Sequence, residues 1–90
     1  MDKPKIIQIL KKTLAAYSIK KAQLFGSFAR GTKFNDIDLI IEPPKEFSLL
    51  TLSSLANEIE RLTGFKADIV TPRGLSPHLK ERIEKEAVAL

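Results

Sequence analysis

The sequence predicts an α/β fold, a single small domain in which helices flank a central sheet of three or four strands. Segments whose apolar residues recur at helical spacing alternate with three short apolar segments typical of strands. Glycines and prolines separate many of these segments. Such alternation favours an α/β sandwich. Because 90 residues suffice for only one small domain, we expect residues 1–90 to form a single unit.

Three amphipathic helices are predicted, over residues 4–17, over residues 48–63 and from Ser76 onwards. Gly64 suits the end of the second helix, and Ser76 followed by Pro77 suits the start of the third. A short helical turn capped by Ser27 would open the polar segment 27–33. The apolar residues that define the three long helices are Ile6, Ile7, Leu10, Leu14 and Tyr17, then Leu52, Leu55, Ala56, Ile59 and Leu62, and finally Leu79, Ile83 and Ala87.

Three strands are predicted, around residues 23–25, over residues 36–42 and over residues 65–70. The middle strand alternates, with Ile37, Leu39 and Ile41 on one face and Asp36, Asp38 and Ile40 on the other. Periodicity leaves open whether the sheet is parallel or mixed.

The composition, with 43% hydrophobic and 29% charged residues, is that of an ordinary globular protein. The absence of cysteine excludes disulfides and thiolate metal sites. The first residues lack the apolar core of a signal peptide, and no apolar run approaches the ~20 residues that cross a bilayer, so we expect a cytoplasmic protein. A net charge of +4 indicates either attraction for nucleotides and nucleic acids or an ordinary solvated surface. His78 is interpreted as a surface residue, since no second metal ligand lies near it in sequence.

Asp36 and Asp38 are the first candidate functional residues. Residues two apart on a strand point to the same side, so these carboxylates repel each other unless a cation lies between them. Magnesium prefers oxygen ligands of this kind. Taken alone, the pair is better explained by two solvated aspartates at the start of a strand.

Gly26 and Ser27 form a second candidate feature, at the end of the first strand. A glycine lets a phosphate approach the backbone, and free amides at a helix start favour an anion. A plain turn from strand to helix is the alternative interpretation. Asp68 is the third feature, because an acidic residue is unexpected inside a buried strand. It would join the aspartate pair if the two strands are neighbours. The alternative is an edge position at which the carboxylate faces water.

Together these features resemble the DNA polymerase β-type nucleotidyltransferase superfamily. In detail the chain is similar to the minimal nucleotidyltransferases that act as antitoxins in HEPN/MNT toxin–antitoxin pairs. The resemblance covers nearly the whole chain and depends on LFGSFARG at residues 24–31, DIDLII at 36–41, ADIVT at 67–71 and the segment 75–88.

The resemblance implies the nucleotidyltransferase fold and a magnesium-dependent transfer of AMP from ATP to a hydroxyl. Asp36 and Asp38 would hold the magnesium ions, two in the family pattern, and Asp68 would complete the metal site. Gly26 and Ser27 would bind the outer phosphates. The remaining candidate, Arg30, would contact phosphate or lie on the surface beside an acidic residue.

The partner that the resemblance implies is a HEPN toxin, an RNase whose tyrosine hydroxyl accepts the AMP. No membrane or nucleic-acid partner is expected. The chain departs from the family in one respect, because eight residues separate Ser27 from Asp36 where about ten are usual.

Three alternatives stay open at this stage. The shortened loop favours a catalytically weak relative that neutralises a toxin by binding alone. The pI of about 9.5 would suit a small nucleic-acid-binding module. The same chemistry would also serve another acceptor, such as an antibiotic hydroxyl. Separately, Phe34, Phe47 and Leu49 are interpreted either as part of a protein interface or as cover for the small core.

Overall fold

Helices and strands alternate along the chain of the computed structural model, which describes residues 2–31 and 34–90. The side chains of Ser27 and Arg30 also lie outside the description. The elements of the described residues are α1 (Lys3–Ala16), β1 (Ala22–Phe25), α2 (Gly26–Arg30), β2 (Asp36–Ile41), α3 (Leu49–Thr63), β3 (Lys66–Val70), a 3-10 turn (Pro72–Gly74), α4 (Pro77–Glu86) and β4 (Val88–Ala89).

The strands form one mixed sheet in the order β3-β2-β1-β4. β1 runs antiparallel to both of its neighbours, whereas β2 and β3 are parallel. This arrangement confirms the predicted α/β class and resolves the sheet as mixed. The number of strands agrees with the predicted three or four. The position of the fourth was not assigned, because its two residues are too few to show a strand periodicity. Backbone pairing continues just beyond it, where Leu90 N donates to Ala22 O at 3.1 Å.

The hydrophobic core lies between one face of the sheet and the helices α1 and α3. Along β2, alternate side chains enter this core, and Ile37, Leu39 and Ile41 are at most 1% exposed. The predicted helix stripes supply the opposite wall. Phe28, from α2, closes the core with no exposed surface. The remaining core residues are Ile6, Leu10, Leu14, Ile19, Leu24, Leu55, Ile59 and Ala67.

Side-chain caps begin the three long helices at the predicted places or within one residue of them. Ser48 accepts a hydrogen bond from Thr51 N at 3.1 Å, and Ser76 accepts one from Leu79 N at 3.3 Å. Gly64 ends α3 in the left-handed region, with φ of 79°. The predicted cap of the short helix is wrong. α2 begins at Gly26, whose φ of 70° turns the chain directly out of β1, so Ser27 lies inside the helix.

The predicted surface residues have different surroundings. His78 is exposed on α4, as expected. Phe34 and Phe47 are half-buried and pack against the core, which confirms their interpretation as core cover. Leu49 is 84% exposed, as is Leu50 beside it. Among the described helices, none is both long and apolar enough to span a membrane.

Candidate active site

The face of the sheet that points away from the core carries the predicted carboxylates on β2. Ile37 and Leu39 are fully buried on the core face, and side chains alternate along a strand. Asp36 and Asp38 therefore lie on the opposite face, which we call the outer face. Asp36 is exposed there, and Asp38 is half-buried.

Asp68 lies on the same outer face, on the neighbouring strand. In the parallel register of β2 and β3, Asp38 is opposite Asp68, and Ile37 is opposite Ala67 on the core face. Neighbouring strands lie about 4.8 Å apart. The two predicted strands are thus direct neighbours, and their aspartates occupy adjacent positions. β3 is also an edge strand, so Asp68 remains exposed to solvent.

The turn at Gly26 lies directly beside this pair of aspartates. Phe25 is opposite Asp38 in the antiparallel register of β1 and β2, so the next residue reaches the same end of the sheet. A Cβ placed on Gly26 would overlap Asp38 Oδ2. Only a glycine leaves room for that carboxylate at a backbone φ of 70°. The glycine and the aspartate therefore form one structural unit.

Two of the residues predicted to contact phosphate, Ser27 and Arg30, have side chains outside the described part of the structure. The backbone of both residues belongs to α2. This helix follows β1 without an intervening loop. Its first residues therefore lie at the end of the sheet that carries Asp36 and Asp38.

Lys3, which the sequence pattern did not single out, joins α1 to the end of α2. Its Nζ donates a hydrogen bond to Gly31 O at 3.0 Å and lies 5.0 Å from the centre of the Phe28 ring. A cation close to the last carbonyls of a helix is favourable. No local spacing could reveal this contact, because it joins residues 28 positions apart.

Aromatic contacts hold Phe34, which lies two residues before β2. The ring centres of Phe28 and Phe34 are 4.4 Å apart in an edge-to-face arrangement, and those of Phe34 and Phe65 are 4.9 Å apart. Rings at such distances attract one another beyond the gain from burial. Gly31, which follows α2, and Phe34, which precedes β2, are thus each held by contacts with other parts of the chain.

The chemistry of the outer face suits a hard divalent cation. In the described part of the chain, no three or more His, Cys, Asp or Glu side chains already stand as a preformed metal-binding group. Magnesium, however, usually binds through one or two carboxylates together with substrate phosphates and water. The adjacent Asp38 and Asp68, with Asp36 on the same face, fit a cation that enters with a triphosphate.

A mixed sheet with carboxylates on its outer face beside a glycine turn is the arrangement that the resemblance to the nucleotidyltransferases implies. The chain belongs to the nucleotidyltransferase domain family, which matches residues 4–90. The predicted family membership is thus confirmed.

Particular relatives narrow this class to small members. A Methanocaldococcus jannaschii protein, named as a candidate protein adenylyltransferase, is 41% identical over 88 residues, which are 96% of this chain and 90% of that protein. A solved structure of a candidate minimal nucleotidyltransferase is 32% identical, with a TM-score of 0.86. The match covers 100% of this chain and 97% of the chain in that structure. The chain is therefore a nucleotidyltransferase of the minimal type.

A more distant solved structure shares the fold. It is the complex of a tri-AMPylated HEPN toxin from Shewanella oneidensis with an MNT antitoxin. The TM-score is 0.66 at 21% identity, and the match covers 97% of this chain and 66% of the other.

Proposed function

We propose that this protein transfers AMP from ATP to a hydroxyl group of a partner protein and thereby acts as an antitoxin. The observation that carries the proposal is the register that sets Asp38 beside Asp68, with Gly26 in contact with Asp38. This arrangement offers adjacent places for a triphosphate and for an attacking oxygen. The name of the Methanocaldococcus jannaschii relative and the AMPylated toxin of Shewanella oneidensis support AMP as the transferred group.

The residues divide between the two substrates. The amides of Gly26 and Ser27, with the Arg30 guanidinium, would bind the outer phosphates of ATP. Asp36 and Asp38 would hold magnesium against the triphosphate, and Asp68 would complete the site on the acceptor side. When bound, magnesium neutralises the charge that develops on the entering and leaving oxygens.

The transfer is a displacement at the α-phosphorus. The acceptor oxygen forms a bond to this phosphorus while the bond to the bridging oxygen of the β-phosphate breaks, and pyrophosphate leaves. The hydroxyl proton passes to Asp68 or, through it, to water. Placing both reactants on one rigid sheet supplies most of the acceleration, because correct orientation alone can remove ~7–11 kcal/mol of the barrier.

The acceptor that we propose is a tyrosine of a HEPN toxin. The support is the structural neighbour in which a HEPN toxin carries AMP while bound to an MNT antitoxin. Because ATP is the proposed donor, we expect the reaction to take place in the cytoplasm.

A transfer assay with radiolabelled ATP tests the proposal. The purified protein is incubated with magnesium and with its HEPN partner, and label on the partner is measured after electrophoresis. We expect labelling by the natural protein and by Glu81→Gln, which removes an exposed carboxylate of α4 that is not one of the candidate site residues. Labelling should be lost in Asp38→Asn. An unlabelled partner with the natural protein would contradict the proposal.

The shortened loop supports a second candidate function, in which the protein neutralises its partner by binding alone. The same preparation separates the two. If Asp38→Asn neutralises the toxin as well as the natural protein does, binding is sufficient. If neutralisation and labelling are lost together, the transfer is required.

A further inference from the structure

A second feature of the outer face lies at the opposite end of the sheet from Gly26. It is a cavity of about 510 Å³ between the sheet and α4, which we call the lower cavity. The three aspartates of the candidate site do not line it. Its wall includes Gln23, Ile40, Glu42, Lys80, Glu84 and Ala89.

The lower cavity begins next to the candidate active site on the same strands. Gln23 is opposite Ile40 in the register of β1 and β2, two residues along from the pair formed by Phe25 and Asp38. Two residues of a strand span about 7 Å. Ile40 therefore lies on the outer face about 7 Å from Asp38, and this distance is close to that between the α-phosphate and the base of a nucleotide.

The direction of a bound triphosphate follows from the turn at Gly26. With the outer phosphates at this turn and the α-phosphate at Asp38, the rest of the nucleotide extends along the sheet toward Ile40. The acceptor must approach from the side of β3, where Asp68 lies. Most of the cavity wall belongs instead to β1, β2, β4 and α4, so the cavity remains available to the donor.

The chemistry of the wall suits a nucleoside. Ile40 is an apolar residue of the cavity wall, and 7% of its surface is exposed there. The Gln23 amide can both donate and accept hydrogen bonds, while Lys80 donates and Glu84 accepts them. The volume falls within the range of ordinary small-molecule sites.

We propose that the lower cavity binds the nucleoside part of the donor triphosphate and so determines which base the enzyme uses. This inference rests on the proposed function, because it assumes that a triphosphate binds at Gly26 and Asp38. It assigns the specificity to the side chains of Gln23, Lys80 and Glu84, at a distance from the reacting phosphorus.

Calorimetric titrations with two probes test the assignment. Magnesium-ATP carries a nucleoside, whereas magnesium tripolyphosphate has only the phosphates. The variant combines Gln23→Ala, Lys80→Ala and Glu84→Ala. Its matched control combines Gln8→Ala, Lys11→Ala and Glu81→Ala, the same residue types at exposed positions outside the cavity. Circular dichroism establishes that both fold.

We expect the natural protein and the control to bind ATP more tightly than tripolyphosphate. The cavity variant should bind ATP at least about tenfold more weakly, since several hydrogen bonds are lost, and should bind tripolyphosphate as before. Unchanged ATP affinity in the cavity variant would overturn the cavity assignment and leave the proposed function intact. If the natural protein binds neither probe, both proposals fail. If the cavity variant binds ATP and tripolyphosphate more weakly by the same factor, the assignment is also overturned, because the substitutions would then weaken the binding of the phosphates and not of the nucleoside.

Discussion

The two faces of the central sheet differ although they share the same strands: one face packs into the hydrophobic core, and the other carries the candidate site. On β2, Leu39 has no exposed surface and belongs to the core, while its neighbour Asp38 lies on the outer face. A shift of one residue would exchange the two sets of side chains. Residues that stabilise the fold and residues of the candidate site therefore alternate along one strand. Substitutions on one face should therefore leave the property of the other face largely intact.

The largest effect is expected from Asp38→Asn on the outer face. The amide keeps the shape of the side chain but loses the negative charge that, in the proposed function, would hold the cation. The transfer rate should fall about a thousandfold, because metal stabilisation of the transition state amounts to several kcal/mol. The melting temperature should change little. Initial rates and a thermal scan measure both, and a rate within about tenfold of the natural one would refute the role of this aspartate.

On the core face, Leu39→Ala should lower the stability and leave the transfer rate of the folded protein unchanged. Removing a fully buried leucine costs about 2–5 kcal/mol of unfolding free energy. Urea unfolding measures the loss, with Leu50→Ala as control, because that side chain is 84% exposed and should change stability by less than about 0.5 kcal/mol. Equal losses in the two variants would show that the core is wrongly located.

Gly26→Ala tests whether the close contact between the turn after β1 and Asp38 matters for both stability and transfer. The new Cβ would overlap Asp38 Oδ2 at a backbone conformation that alanine disfavours. We expect a loss of about 1–2 kcal/mol in stability and about a hundredfold in rate, since displaced catalytic groups are costly.

Gly64→Ala is the matched control for this glycine. Its φ of 79° is similarly unfavourable for alanine, but nothing lies within 4 Å of the added Cβ. The control should lose stability and keep its rate. If both glycine variants keep their rates, the contact between the turn and Asp38 has no catalytic role.

The smallest effect is expected from Lys3→Met, which tests the hydrogen bond from Lys3 to the carbonyl of Gly31. Methionine keeps much of the apolar stem but cannot donate to Gly31 O. We expect a loss of about 1 kcal/mol in stability, in line with one partly exposed hydrogen bond. Lys5→Met, at an exposed position of the same helix, should have no such effect when both are compared by urea unfolding. Equal stability of the two variants would show that the hydrogen bond from Lys3 to Gly31 O does not stabilise the fold.

The sequence was sufficient to predict the parts of the fold that follow from local periodicity. Alternation along β2 correctly separated Ile37 and Leu39 from Asp36 and Asp38. Helical spacing located the three long helices to within a residue or two at the bounds that could be compared. Asp68 was correctly singled out as an acidic residue in a strand, but only strand pairing shows that it lies opposite Asp38.

Other features depend on contacts between distant parts of the chain. The two residues of β4 become a strand only because β1 offers an unpaired edge. The contact between Lys3 and Gly31 has no local signature. The start of α2 at Gly26 depends on a positive φ, which a glycine allows but does not require. The roles of Ser27 and Arg30 remain predictions from the resemblance.

The most direct test of the account is a crystal structure with manganese, in place of magnesium, and a non-hydrolysable ATP analogue. Anomalous scattering locates the metal. We expect manganese bound by carboxylate oxygens of Asp36 and Asp38, with Asp68 beside it and the outer phosphates at Gly26. Metal and triphosphate bound elsewhere, or Asp68 turned away from them, would contradict the central claim that the outer face carries the chemistry.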